Sequence, residues 1–145
     1  MTIFVDEFNN IVTDCNSQIN DKIIGINYLE KLKYLLIDRL KNIDLNSFDK
    51  IIDYETIKIF NEKKFSLKLE NYLIPSSKIK QKIPNDFLSI VLNGSKTLEL
   101  FENLDLKKSN SLNLFKNMGI TLPRGSIISE SISSKTLVIN ITNIN

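Results

Sequence analysis

A change of hydrophobic period near residue 55 constrains this chain more than any other feature. Before it, "NYLEKLKYLLIDRLKNI" repeats Leu29, Leu32, Leu36, Leu40 and Ile43 at three- and four-residue steps. That spacing predicts a helix over 28–43 with one apolar stripe. Asn27 with Glu30 three residues on reads as an N-cap and its reciprocal carboxylate. Upstream, Phe4, Phe8, Ile11, Val12 and Cys15 fit one helical face, but the segment is short and rich in β-branched residues, so residues 1–20 read either as helix or as strand. Ser47 is placed to cap a further short helix through "FDKIIDY". After residue 55 the period is two. "ETIKIF", "FSLKLENYLI", "FLSIVLN", "KTLELFE", "GITLP", "SIISESI" and "TLVINIT" are strand-length pieces, each ended by Gly, Pro, Asn or Ser. "LNGSK" (92–96) reads as an Asn-Gly hairpin turn. The polar connection 102–117 holds one weak strand near Leu112 and Leu114. Regularly spaced short strands without intervening helices predict a mainly β fold, an antiparallel sandwich or small barrel. We expect a helical N-terminal segment, 1–54, packed on a β-barrel formed by 55–145.

Composition removes several functions. The chain has 145 residues, the size of one domain, with 42% hydrophobic and 25% charged residues. Its 19 basic and 17 acidic side chains give a net charge of +2, without the clustered basic excess of a nucleic-acid binder. There is no histidine, which excludes Ser-His-Asp and Cys-His devices and any histidine-ligated metal. Cys15 is the only cysteine; it cannot form an intramolecular disulfide and reads as a small buried hydrophobe. "MTIFVDEFNN" lacks the basic start and apolar core of a signal peptide, and no run approaches about 18 apolar residues. A cytoplasmic protein without a membrane or nucleic-acid partner is expected.

"YLIPSSKIKQKIPNDFLSIVLNGSKTLELF" (72–101), followed by "NMGITLPRGSII" (117–128), resembles the cupin family over roughly residues 55–142. The family's first motif ends in a Val-Leu-x-Gly turn, here Val91-Leu92-Asn93-Gly94. Its second motif carries a Pro-x-Gly corner, here Pro123-Arg124-Gly125, and in metal-binding members a histidine three residues later. The resemblance implies a jelly-roll barrel, but its ligand slots are all altered. Ile128 stands in the second-motif histidine slot and Phe87 in the glutamate slot. The paired histidine slots fall on Lys80 and Lys82, or on Gln81 and Ile83. None of these suits a transition metal, so neither a metal nor another cofactor is expected and the family's metal-dependent chemistry is not carried over.

Side-chain alternation sets Lys78, Lys80 and Lys82 on one strand face and Ile79, Gln81 and Ile83 on the other. Burying unpaired ammonium groups costs several kcal/mol apiece, whereas burying each isoleucine stabilises by roughly 1.5–3 kcal/mol. The expected register therefore turns the isoleucines inward, with Ile83, Phe87 and Ile128 closing the mouth. The alternative is a cationic pocket of Lys80 and Lys82, with Glu130 and Tyr72 beside it, accepting a small carboxylate, phosphate or sugar-like ligand. Glu130 shares the face of Ile128 and Ile132 and is a candidate inward partner for a lysine. In "FLSIVLN" both faces are apolar, so Leu88, Ile90 and Leu92 need a cover, either helix 28–43 or a second copy in a homodimer. The resulting expectation is a non-catalytic, metal-free binding or regulatory module. Its alternative is a metal-independent isomerase or epimerase acting on a small anionic ligand.

Overall fold

The computed structural model describes residues 2–43, 50–60, 62–102 and 108–144. Among the described residues two helices precede nine strands: α1 (Thr2–Ser17), α2 (Gly25–Leu40), β1 (Tyr54–Phe60), β2 (Lys63–Tyr72), β3 (Ser76–Lys82), β4 (Phe87–Asn93), β5 (Ser95–Phe101), β6 (Lys108–Phe115), β7 (Met118–Leu122), β8 (Ile127–Ile132) and β9 (Thr136–Asn143). The strands form two antiparallel sheets, ordered β1-β2-β9-β4-β7 and β3-β8-β5-β6. Among the described residues these face each other as a jelly roll of two sheets, not as one closed barrel. The helices lie on the outside of the five-stranded sheet, giving three layers with two cores between them.

The first core is almost wholly apolar. Tyr28, Leu29, Leu32, Leu36 and Leu40 of α2 pack with Phe8, Ile11, Val12 and Cys15 of α1 and with the outer faces of β2, β4 and β9. Those faces present Phe65, Leu67 and Leu69; Leu88, Ile90 and Leu92; Leu137, Ile139 and Ile141. β4 and β9 are covered on both sides, which is why apolar residues occupy both of their faces. Leu88, Ile90 and Leu92 are buried within the single chain. The cover that the sequence demanded is therefore supplied by the chain's own α2. Burial pushes the Cys15 thiol upward, outweighing the opposing Arg39 charge, as suits an inert core thiol.

Several local expectations differ from what is observed. Residues 2–17, open between helix and strand on sequence grounds, are helix. α2 begins at Gly25, with Ile24 at the N-cap and no side-chain cap, so Asn27 lies inside the first turn. Glu30 does not close a capping box; it pairs with Lys33 at 2.7 Å and accepts a hydrogen bond from Thr121 on β7. Tertiary partners outcompete the local cap. Ser47 lies outside the described residues, and residues 51–53 are irregular before β1 begins, so "FDKIIDY" does not continue as a helix there. The Asn-Gly turn is not a hairpin, because β4 and β5 belong to different sheets. Gly94 (φ +80°) instead carries the chain across the sandwich, where a Cβ would sit 2.8 Å from the Lys135 carbonyl oxygen.

Candidate functional site

The choice between the lysine and isoleucine faces of β3 is resolved by a bulge. β3 pairs with β8 through Lys78↔Glu130, then Gln81↔Ile128, one residue out of step. A bulge reverses the inside-outside phase within a strand. Before it, Lys78 and Lys80 are half-buried while Ile79 is 86% exposed. After it, Gln81 and Lys82 are exposed and Ile83 is buried. The expected burial of Ile79 is thus incorrect, that of Ile83 is observed, and Lys80 and Lys82 do not share a face. Lys80 places its ammonium 4.2 Å from the centroid of the Phe101 ring, an attractive geometry for a cation.

Ile83, Phe87 and Ile128 meet in the inter-sheet core with Val91, Leu98, Leu114 and Leu122. Ile83 is held there by the corner itself: its N–H donates to the Ser126 carbonyl oxygen (2.8 Å) and its own carbonyl oxygen accepts from Gly125 N–H (2.9 Å). Gly125 makes this possible at φ +93°. A hydrocarbon cluster offers no donor atoms, and the fourth altered slot, Gln81, faces solvent. Among the described residues no group of three or more Cys, Asp or Glu side chains is arranged to hold a metal ion. These residues do not fit the metal of the fold's metal-binding members.

Toward the other end, the same inter-sheet layer turns polar. Glu130 on β8 is opposite Lys78 on β3 and Leu98 on β5, which puts Lys96 of β5 on its diagonal. The Lys96 ammonium lies 3.3 Å from Glu130 Oε1, with the two side chains 0% and 4% exposed. Lys78 lies 3.8 Å from Glu130 Oε2 and equally far from Glu70 Oε1, joining the two sheets. On the facing sheet, Tyr72 donates to Glu70 Oε2 and Asn140 Nδ2 to Glu70 Oε1, both at 2.7 Å. Of the four residues expected as a pocket, Glu130 and Tyr72 belong to one network through Lys78 and Glu70. Lys82 is exposed and outside it, and Lys80 stacks on Phe101.

Two lysines face two carboxylates, so the network is charge-balanced. Burial lowers the Lys96 pKa, against the pull of Glu130. Burial alone would raise Glu70, but the Tyr72 hydroxyl, Lys78 ammonium and Asn140 amide together hold its carboxyl below the ordinary range. Burial, then the bond to Glu70, raises the Tyr72 phenol. Glu130 Oε2, Asn140 Oδ1 and Ser89 Oγ are buried without a hydrogen-bond partner. Such groups cost roughly 1–3 kcal/mol each when left unsatisfied. Glu70 also lines a surface cavity of about 300 Å³ with Asp53, Tyr54, Glu55, Lys68 and Leu69, so one carboxylate connects the buried network to the outside.

Lys96, Glu70 and Asn140 escape a sequence reading that looks for familiar motifs, whereas Lys78 is legible in it only as part of the lysine face of β3. One signal was present: in "KTLELFE", Lys96 is in phase with Leu98 and Leu100, a charge at an apolar position.

No family model and no curated protein sequence matches the chain. Its fold does have solved counterparts. A Bacillus halodurans protein superposes with a TM-score of 0.55 at 13% identity, over 72% of this chain and 82% of that one. The Cnp3 cupin domain of Schizosaccharomyces pombe gives 0.50 at 12% identity, over 68% and 72%. With the two-sheet topology, this places the chain in the cupin fold, as a jelly roll carrying two N-terminal helices.

Proposed function

We propose that this protein is a metal-free, non-catalytic binding module whose ligand enters at the Glu70 end of the inter-sheet network. One observation carries the reading: Glu70 lines a surface cavity and also anchors a buried network in a layer where Glu130 Oε2, Asn140 Oδ1 and Ser89 Oγ lack hydrogen-bond partners. A small polar molecule that supplies those hydrogen bonds would relieve a standing cost. Because each interior lysine has a carboxylate partner, the chemistry suits a neutral polyol or an amine better than an anion. A metal-independent isomerase is the second reading, favoured by the lowered pKa of Lys96. Lys96 is fully enclosed, however, so a substrate could not touch it without displacing the core. The test is a thermal-shift and calorimetric screen with xylitol, myo-inositol, ethanolamine and putrescine, alongside elemental analysis. The expected result is saturable stabilisation by one of these classes that Glu70→Gln abolishes. Equal stabilisation of the variant, no response to any of them, or a stoichiometric transition metal defeats the proposal.

A further inference from the structure

The Pro123-Arg124-Gly125 corner borders surface cavities remote from Glu70 and does not depend on the Glu70 reading. Here the link between β3 and β4 meets the link between β7 and β8, and a cavity of about 400 Å³ is lined by Lys82, Ile83, Pro84, Arg124 and Gly125. Arg124 also borders a neighbouring cavity of about 320 Å³ with Asn85, Asp86, Pro123 and Asn143.

The frame around the cavity is fixed. In addition to the two bonds between Ile83 and the corner, Arg124 N–H donates to Asp86 Oδ1 at 2.8 Å, and Ser126 N–H and Oγ both donate to the Pro123 carbonyl oxygen, at 3.1 and 2.7 Å. The cations are not fixed. Both Lys82 and Arg124 are exposed, and among the described residues neither the Lys82 ammonium nor the Arg124 guanidinium has a hydrogen-bond or ion-pair partner. The nearby carboxylate, Asp86, accepts the Arg124 backbone N–H, and among the described residues it makes no ion pair with Lys82 or with the Arg124 guanidinium. This contrasts with the interior, where Lys78 and Lys96 both face carboxylates.

We infer that this corner binds a small amphiphilic anion, a carboxylate or phosphate monoester on an apolar body. The anionic head would lie between the ammonium and the guanidinium, whose fork suits bidentate oxygen acceptors. The apolar body would lie on Ile83 and Pro84. The absence of a side chain at Gly125, where the nearest atom to an added Cβ is Lys82 Cε at 3.9 Å, leaves that floor open. The cationic site anticipated from Lys80 and Lys82 is thereby relocated: Lys82 contributes, and its partner is Arg124.

The experiment is an amide-shift titration of the full chain with phenyl phosphate, benzoate, inorganic phosphate and benzyl alcohol. Saturable shifts confined to Ile83, Arg124, Gly125 and Ser126 are expected with phenyl phosphate or benzoate, and which of the two binds more tightly identifies the head group. Inorganic phosphate and benzyl alcohol, each with half the chemistry, should bind at least about tenfold more weakly. The Lys82→Gln/Arg124→Gln double variant keeps the backbone bonds of the corner and should retain its melting temperature while losing about tenfold or more in affinity. Shifts that are absent, that scatter over the surface, or that survive unchanged in the double variant would overturn the inference.

Discussion

The two faces of β4 are adjacent, yet they do different work. On one, Leu88, Ile90 and Leu92 disappear under α2 into a core without a charge. On the other, Phe87, Ser89 and Val91 look across at the second sheet. That layer changes along its length from the packed side chains of Ile83 and Ile128 to the ion pair of Lys96 and Glu130. The outer core fastens helices to a sheet mainly through shape and hydrophobic burial, with polar contacts such as Thr121 to Glu30 at its edge. The inner layer gives up part of its apolar contact to hold fixed charges and unsatisfied polar atoms, an arrangement expected where a fold carries a site.

The largest effect that would sharpen this contrast lies in the inner layer. Glu130→Gln leaves the Lys96 cation buried without its nearest counter-charge and should destabilise by about 3–5 kcal/mol. Adding Lys96→Met to it should recover most of that loss, since replacing both partners by apolar or neutral groups is commonly near neutral. Urea unfolding of the single and double variants measures both. If the single change costs little, the pair is not as enclosed as its geometry indicates.

Leu88→Ala, on the other face, opens a cavity under α2 and should cost about 2–5 kcal/mol, with no compensating partner substitution at any polar site. A monomer–dimer equilibrium that shifts in this variant, with unchanged unfolding free energy, would instead mean that the face is exchanged between copies.

A smaller effect concerns acid stability. The folded-state pKa of Glu70 is depressed below its ordinary 4.5, so its contribution is present above that value and is lost as pH falls through the folded pKa. Glu70→Gln removes that limb. Its stability should fall less between neutral and acid pH than that of the parent, whose loss follows protonation of a carboxylate held by Tyr72, Lys78 and Asn140. Identical pH profiles would place the carboxylate in solvent.

The smallest expected effect checks the bulge. Ile79→Thr, at an exposed position on β3, should change stability by no more than about 0.5 kcal/mol, although the unbroken alternation of β3 predicts a core residue there. A loss like that of Leu88→Ala would show the strand to run in the other register.

Much of the architecture could be read from residue order. The stripe of Leu29, Leu32, Leu36 and Leu40 predicted α2, and the alternation after residue 55 predicted most of the strands. β6 shows in the sequence only as one weak strand in a polar connection. Pro123 and Gly125 marked a real corner. The polar site was harder to see because Ser66, Lys68, Glu70 and Tyr72 occupy the hydrophilic phase of β2, which in isolation reads as a solvent face.

Periodicity determined this protein's element types and its mainly β, antiparallel class, because helical and strand repeats are local geometric facts carried by consecutive residues. It also determined that the outer face of β4 needed a cover. Which element provided that cover, where β3 shifts phase, and which lysine meets which carboxylate were decided only in the tertiary structure. Those outcomes depend on the approach of strands far apart in sequence, and a single unpaired residue at a bulge is enough to turn every following side chain over.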